Sequence, residues 1–192
     1  MTDAATGRDA LLHRAVEYFA ASGIGDVSLR RLADEIGTSH RMLIYHFRSR
    51  DGLLAAVVDA VEANGRSTLV EIAAQLGPSD DPLAAGLLFW HAITDEALVF
   101  GPLFFELSSH AMRALPHARV LRDRLVTTWV HALAETWTAR GVTQDEARAY
   151  ARLDLAVARG LLHDLLLTGD RKVIDDLMRN YAAAAISARL AG

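Results

Sequence analysis

The 192-residue sequence has no cysteine, which excludes disulfides, thiolate metal sites and thiol-based redox sensing. Proline is scarce, at 4 residues, and Lys172 is the only lysine among 20 basic residues. No segment alternates Val, Thr and Tyr as a sheet would. The opening residues, Met1 to Asp9, lack the basic and then apolar regions of a secretory signal. The longest apolar stretch, Leu83 to Thr94, runs straight into Asp95 and Glu96. It falls short of the roughly 18–20 residues that span a bilayer. The expectation is a cytoplasmic protein without a membrane segment. Catalytic signatures are also missing: no P-loop, no dinucleotide fingerprint, no His-Glu-x-x-His and no Gly-x-Ser-x-Gly. Nothing calls for a cofactor or a metal.

What the sequence does contain is a core. Apolar residues make up 52% and charged residues 23%, a balance that buries surface and argues against disorder. Abundant Ala and Leu favour helix. An all-α protein is expected. The net charge of −4 is unevenly spread. Between Val27 and Arg50 five arginines face only Asp34 and Glu35, a local +3, whereas residues 51–192 sum to −5. A basic patch on an acidic chain suits a small head that touches nucleic acid and a larger body that does not.

Apolar positions recur at helical spacing throughout. Leu11, Leu12, Ala15, Val16, Phe19 and Ala20 make a first helix that Gly23 and Gly25 end. Ser28 can cap a short second helix, which Gly37 stops. Thr38 or Ser39 can cap a third that runs to about Phe47, and Ser49 a fourth that continues past Gly65 to Leu76. Two short helices joined through a glycine turn and braced by a preceding helix form the helix-turn-helix pattern. Beyond it, residues 77–82 read as the clearest loop. A helix from Leu83 is expected to break at Gly101-Pro102, and a shorter one to end before Pro116. Leu121, Leu125, Trp129, Leu133 and Trp137 stripe the next helix, and Thr143 caps the one after. Asp170 opens the last helix. The division expected is a head over 1–50 and a body over 51–192.

The head resembles the TetR-type transcriptional regulators. The resemblance covers roughly residues 8–60. It is carried by Leu11-Leu12-x-x-Ala15-x-x-x-Phe19, Gly23, Ser28-Leu29-Arg30-Arg31-Leu32-Ala33 and Ile36-Gly37-Thr38-Ser39. The run from Leu43 through Tyr45-His46-Phe47 to Gly52-Leu53-Leu54 completes it. Ile44 stands where the family often has a phosphate-binding Tyr, with Tyr45 next along. Arg50 replaces a common Lys, and Arg41 occupies a position that is often small. The resemblance implies an N-terminal DNA-binding head, a helical effector-binding body and dimerisation through the last two helices. The stretch from Gly160 to Asp170 looks like the junction of those two helices.

A recognition helix presents its first turn to base edges in the major groove. His40, Arg41 and Met42 hold that place. Arg41 can offer two parallel donors to guanine, and Met42 an apolar contact to a thymine methyl. Ser28, Arg30, Thr38, Ser39, Tyr45, Arg48 and Arg50 suit phosphate. Taken singly, Arg30, Arg31 and Arg48 fit an ordinary solvated surface equally well, and His46 fits a structural role.

In the body, Phe89, Trp90, Phe100, Phe104, Phe105 and Trp129 are candidates to line an effector pocket. His91, His110, His131 or Glu106 could orient the ligand. The same aromatics would serve as plain core. His91 with Asp95, and Glu106 with His110, stand one helical turn apart, a spacing open to metal binding or simply to mutual hydrogen bonding. The penultimate helix is apolar on two faces and so needs two partners. A homodimer would use Tyr150, Leu153, Val157 and Leu161 with Ile174, Leu177 and Tyr181. Burial within one subunit is the alternative. The function expected is a repressor released from a palindromic operator by a small, largely apolar molecule. The rival is an all-helical enzyme or carrier with a vestigial head.

Overall fold

The computed structural model describes residues 2–75 and 81–190. Among them every regular element is helical. The order is α1 (Thr2–Ser22), α2 (Leu29–Glu35), α3 (His40–Phe47), α4 (Arg50–Gln75), α5 (Pro82–Met112), a 3₁₀ turn (Pro116–Ala118), α6 (Arg119–Thr138), α7 (Gln144–Thr168) and α8 (Arg171–Leu190). Most of the expected loop at 77–82 lies outside the described residues. At its end Asp81 accepts a hydrogen bond from the Leu83 N–H at 2.9 Å, with Pro82 in the first helical position. That is a favoured helix start.

α5 departs from the sequence expectation by running unbroken through Gly101-Pro102. Proline forfeits one backbone donor, yet packing on both sides of it holds the helix. Gly101 is buried against Leu166, and Leu103 and Leu107 beyond it are each 1% exposed. Local propensity yields to that burial. Uninterrupted, α5 is also long and apolar enough to cross a membrane by length and composition, which the shorter stretch ending at Thr94 was not.

Packing groups the chain into two compact units. One joins Met1–Ala63 with Pro102–Asp123, and the other joins Asn64–Gly101 with Arg124–Gly192. The unit boundaries fall inside α4, α5 and α6. Residues 51–63, which the sequence division places in the body, therefore pack with the head.

The first unit buries Leu11, Ala15 and Phe19 of α1, Leu32 of α2, Leu43 and Phe47 of α3, and Leu53, Leu54 and Val57 of α4. In the second unit Leu87, Trp90, Leu165, Ile174 and Met178 form one core, against which Val157, Leu161 and Tyr181 pack. Ala134, Trp137, Ala147 and Ala151 form another, flanked by Tyr150. α7 ends at Gly169 in the left-handed conformation (φ 71°) and turns directly into α8. The resulting helical hairpin is fastened by Asp154, whose carboxylate accepts from Trp137 Nε1 (2.8 Å), the Tyr181 hydroxyl (2.7 Å) and Arg189 Nη1 (2.7 Å). The Arg189 guanidinium also lies over the Trp137 and Tyr150 rings.

Candidate DNA interface

The recognition helix is set from both ends by local chemistry. Ser28 and Ser39 each take extended backbone angles. Their hydroxyl oxygens accept from the Arg31 and Met42 N–H groups, both at 3.2 Å, so α2 and α3 begin where the sequence places them. Gly37 at φ +65° turns the chain between them, and Arg14 of α1 donates to the Ile36 carbonyl at 2.9 Å. Leu43 and Phe47, one turn apart, are 0% and 4% exposed and fix α3 on its inner side. His40, Arg41 and Met42 are all exposed on its first turn, with Ile44 and Tyr45 outward beside them.

The phosphate candidates sort into two groups. Arg30, Ser39, Tyr45 and Arg48 are exposed, and Thr38 is half-buried. Ser28 and Ser39 use an oxygen lone pair as helix caps, which leaves each O–H able to donate outward. Arg50, by contrast, faces the protein. Its Nε donates to the Val27 carbonyl at 3.0 Å and its Nη2 to the Gly25 carbonyl at 2.6 Å. These two bonds brace the turn between α1 and α2.

The α3–α4 junction is tight. Arg48 sits at φ 69°, ψ −41°, and the Ser49 N–H donates to the Phe47 carbonyl at 2.8 Å. This is the strained form of a three-residue turn. A Cβ on Gly52 would lie 2.1 Å from that same carbonyl oxygen, so only glycine fits there. Ser49 Oγ then accepts from the Gly52 N–H at 3.0 Å and caps α4.

Sequence reasoning missed the partner of the α1–α2 turn. Glu106 of α5 accepts from the Ile24 N–H (2.9 Å) and the Gly25 N–H (3.3 Å). The Glu106 carboxylate, which the sequence offers to a ligand, is engaged inside the first unit. His110 is also engaged, its Nδ1 3.0 Å from Nε2 of His117. His117 is 8% exposed and its Nδ1 lies 3.5 Å from Asp51. Burial first, and then the His110 ring, push the His117 imidazole below its ordinary value, and Asp51 pulls part of the way back.

The remaining pocket candidates fall in both units. Phe104 and Phe105 stack edge to face in the first unit. Phe89 and Trp129 approach within 6.5 Å in the second, where Phe100 is half-buried. Trp90 is a core residue whose Nε1 donates to Asp175 at 2.7 Å. His91 lies 4.0 Å from the same Asp175, and His131 pairs with Glu135 on the surface. Asp95 pairs with Arg171 at 2.6 Å. No group of three or more metal-binding side chains occurs among the described residues. Of the dimer candidates, Leu153 and Leu177 stand open at 51% and 46% exposure. Val157 and Leu161 are half-buried, and Tyr150 and Tyr181 pack inward. Ile174, at 1%, belongs to the chain's own core and not to an open face.

A capped two-helix motif with an exposed cationic first turn, braced by α1 and followed by a helical body, defines a helix-turn-helix transcriptional regulator. Comparison with known proteins agrees. Residues 11–57 match the family of bacterial regulatory proteins of the tetR type. The HTH-type transcriptional regulator BetI of Pseudomonas paraeruginosa is 29% identical over 179 residues, spanning 89% of this chain and 87% of its own. Among solved structures, a transcriptional regulator from Rhodococcus sp. Rha1 shares the fold with a TM-score of 0.77 at 19% identity, covering 95% of this chain and 97% of its own. A transcriptional regulator from Saccharomonospora viridis in complex with choline does so with a TM-score of 0.67 at 22% identity, covering 95% and 96%. Residues 11–57 thus carry the DNA-binding head of the tetR-type bacterial regulatory proteins, and the likeness to BetI over most of the chain makes it a DNA-binding transcriptional regulator in place of an enzyme.

Proposed function

We propose that the protein is a homodimeric repressor that leaves a palindromic operator when a small, largely apolar effector binds its body. The observation that carries this reading is the open first turn of α3, with His40, Arg41 and Met42 exposed above buried Leu43 and Phe47. Arg41 reads guanine O6 and N7, Met42 meets a thymine methyl, and His40 contacts a base or phosphate. Arg30, Thr38, Ser39, Tyr45, Arg48 and the Ser28 hydroxyl hold the backbone. Residues 1–50 make the DNA contacts, and residues 51–192 serve the effector and the second subunit. Such a protein works in the cytoplasm, where its operator lies.

Leu153 and Leu177 supply the open apolar positions on α7 and α8 that a second copy would cover. A two-fold dimer matches half-sites one helical turn apart or a multiple of it. For the effector, the Phe89–Trp129 pair supplies aromatic surface. The choline held by the Saccharomonospora viridis relative adds a cationic option, since aromatic faces attract quaternary amines.

Coupling between effector and DNA must be reciprocal, typically about 5- to 150-fold. A panel of neutral apolar compounds and quaternary amines, screened for a rise in melting temperature, would supply a ligand. That ligand should weaken operator binding by the same factor by which operator weakens ligand binding. A ligand that stabilises the protein and leaves DNA affinity untouched would contradict effector-controlled release.

A further inference from the structure

The turn between α1 and α2 is held by side chains from two other helices, α4 and α5. Ile24 anchors it at 1% exposure. Its two glycines, Gly23 (φ +73°) and Gly25 (φ +40°), take left-handed backbone angles. Consecutive N–H groups in such a turn form a concavity that favours an anion, and the Glu106 carboxylate fills it, with one oxygen on Ile24 N and the other on Gly25 N. On the carbonyl side, Arg50 takes the oxygens of Gly25 and Val27. Every one of these residues lies in the first unit. The turn is thus gripped through its donors by an acid and through its acceptors by a base. Ser28, the N-cap of α2, follows directly.

We infer that Glu106 is a positioning residue for DNA recognition. By fixing the α1–α2 turn it fixes where α2 begins, and hence the angle at which α3 offers His40, Arg41 and Met42 to the groove. It touches neither base nor phosphate. The inference rests on the reading of α3 as the recognition helix.

The expected signature separates positioning from folding. Full-length wild type, Glu106→Gln and Glu106→Ala are titrated against an operator selected from a random duplex pool and against an unrelated duplex, over a range of salt. Active fractions are fixed by stoichiometric titration. Glu106→Ala should weaken operator binding about tenfold or more. Its affinity for unrelated DNA and the salt slope should match wild type, because no phosphate contact is removed. Glu106→Gln retains one acceptor for the Ile24 N–H and should recover part of the loss. Hydrogen exchange at the Ile24 and Gly25 amides should quicken in Glu106→Ala, which tests the grip without DNA. Wild-type operator affinity in Glu106→Ala would overturn the inference, as would an equal loss on both duplexes. A wild type that selects no operator would instead defeat the reading of α3 itself, and Glu106 with it.

Discussion

At the scale of single residues, identity matters most where the backbone leaves one option. Gly52 and Gly86 both sit inside helices, where propensity alone favours alanine by roughly 1 kcal/mol. Their surroundings reverse that preference in one case only. A Cβ at Gly86 meets nothing within 4 Å, whereas at Gly52 it would lie 2.1 Å from the Phe47 carbonyl oxygen. Gly86→Ala should therefore stabilise the protein by about 0.5–1 kcal/mol. Gly52→Ala should destabilise it by about 1–3 kcal/mol, as overpacking does. Chemical denaturation of the two variants checks the opposite signs. Gly52 was legible in the sequence as part of a family motif, but its reason was not. The clash depends on the strained turn at Arg48, and no spacing rule predicts that conformation.

At the scale of elements, local chemistry was readable and remote chemistry was not. Ser28 and Ser39 cap their helices as read, because a cap needs only its own first turn. Pro102 misled because its penalty is local while the packing around it is not. Arg50, Glu106 and Asp154 were invisible in their true roles, since their partners lie 23, 82 and 35 residues away along the chain. Such pairs leave no periodicity.

The His117 cluster and the Asp154 cluster make stability depend on pH, in opposite senses. His117 has its folded pKa lowered from an ordinary 6.5. The unfolded chain then takes up a proton that the folded one refuses. Its stabilisation is present above pH 6.5 and is lost as pH falls below it. His117→Gln should flatten that acid-side decline. Tyr181 is pushed from 10.0 up to about 12, by burial first and then by the hydrogen bond to Asp154. Here the folded state keeps a proton that the unfolded state gives up. The contribution is intact below pH 10 and disappears as pH climbs towards 12. Tyr181→Phe should remove that alkaline decline. Urea midpoints measured from pH 5 to 11.5 would show both, and profiles unchanged by the substitutions would contradict both assignments.

At the scale of the whole molecule, the proposed symmetry of the DNA site demands a second copy. α7 and α8 leave Leu153 and Leu177 about half exposed, alongside Val173 at 48%. Ile174 and Tyr181, on the same helix as Leu177, are already committed to the chain's own interior. The sequence showed that these helices are apolar on more than one face. Which face was spent inside the chain required the packing. Leu153→Glu with Leu177→Glu should yield a folded monomer by sedimentation velocity, with far-ultraviolet dichroism unchanged and operator affinity reduced. A variant that stays dimeric would move the interface elsewhere.

The central claim is that the first turn of α3 reads DNA, and the most direct test is selection of bound duplexes from a random pool, followed by titration of the winner across salt concentrations. The expected result is an enriched palindrome with guanine in each half-site. Its affinity should fall steeply with salt, and Arg41→Ala should cost about 1–3 kcal/mol and relax the preference at that guanine. Weak binding with no enriched sequence, indifferent to Arg41, would contradict it.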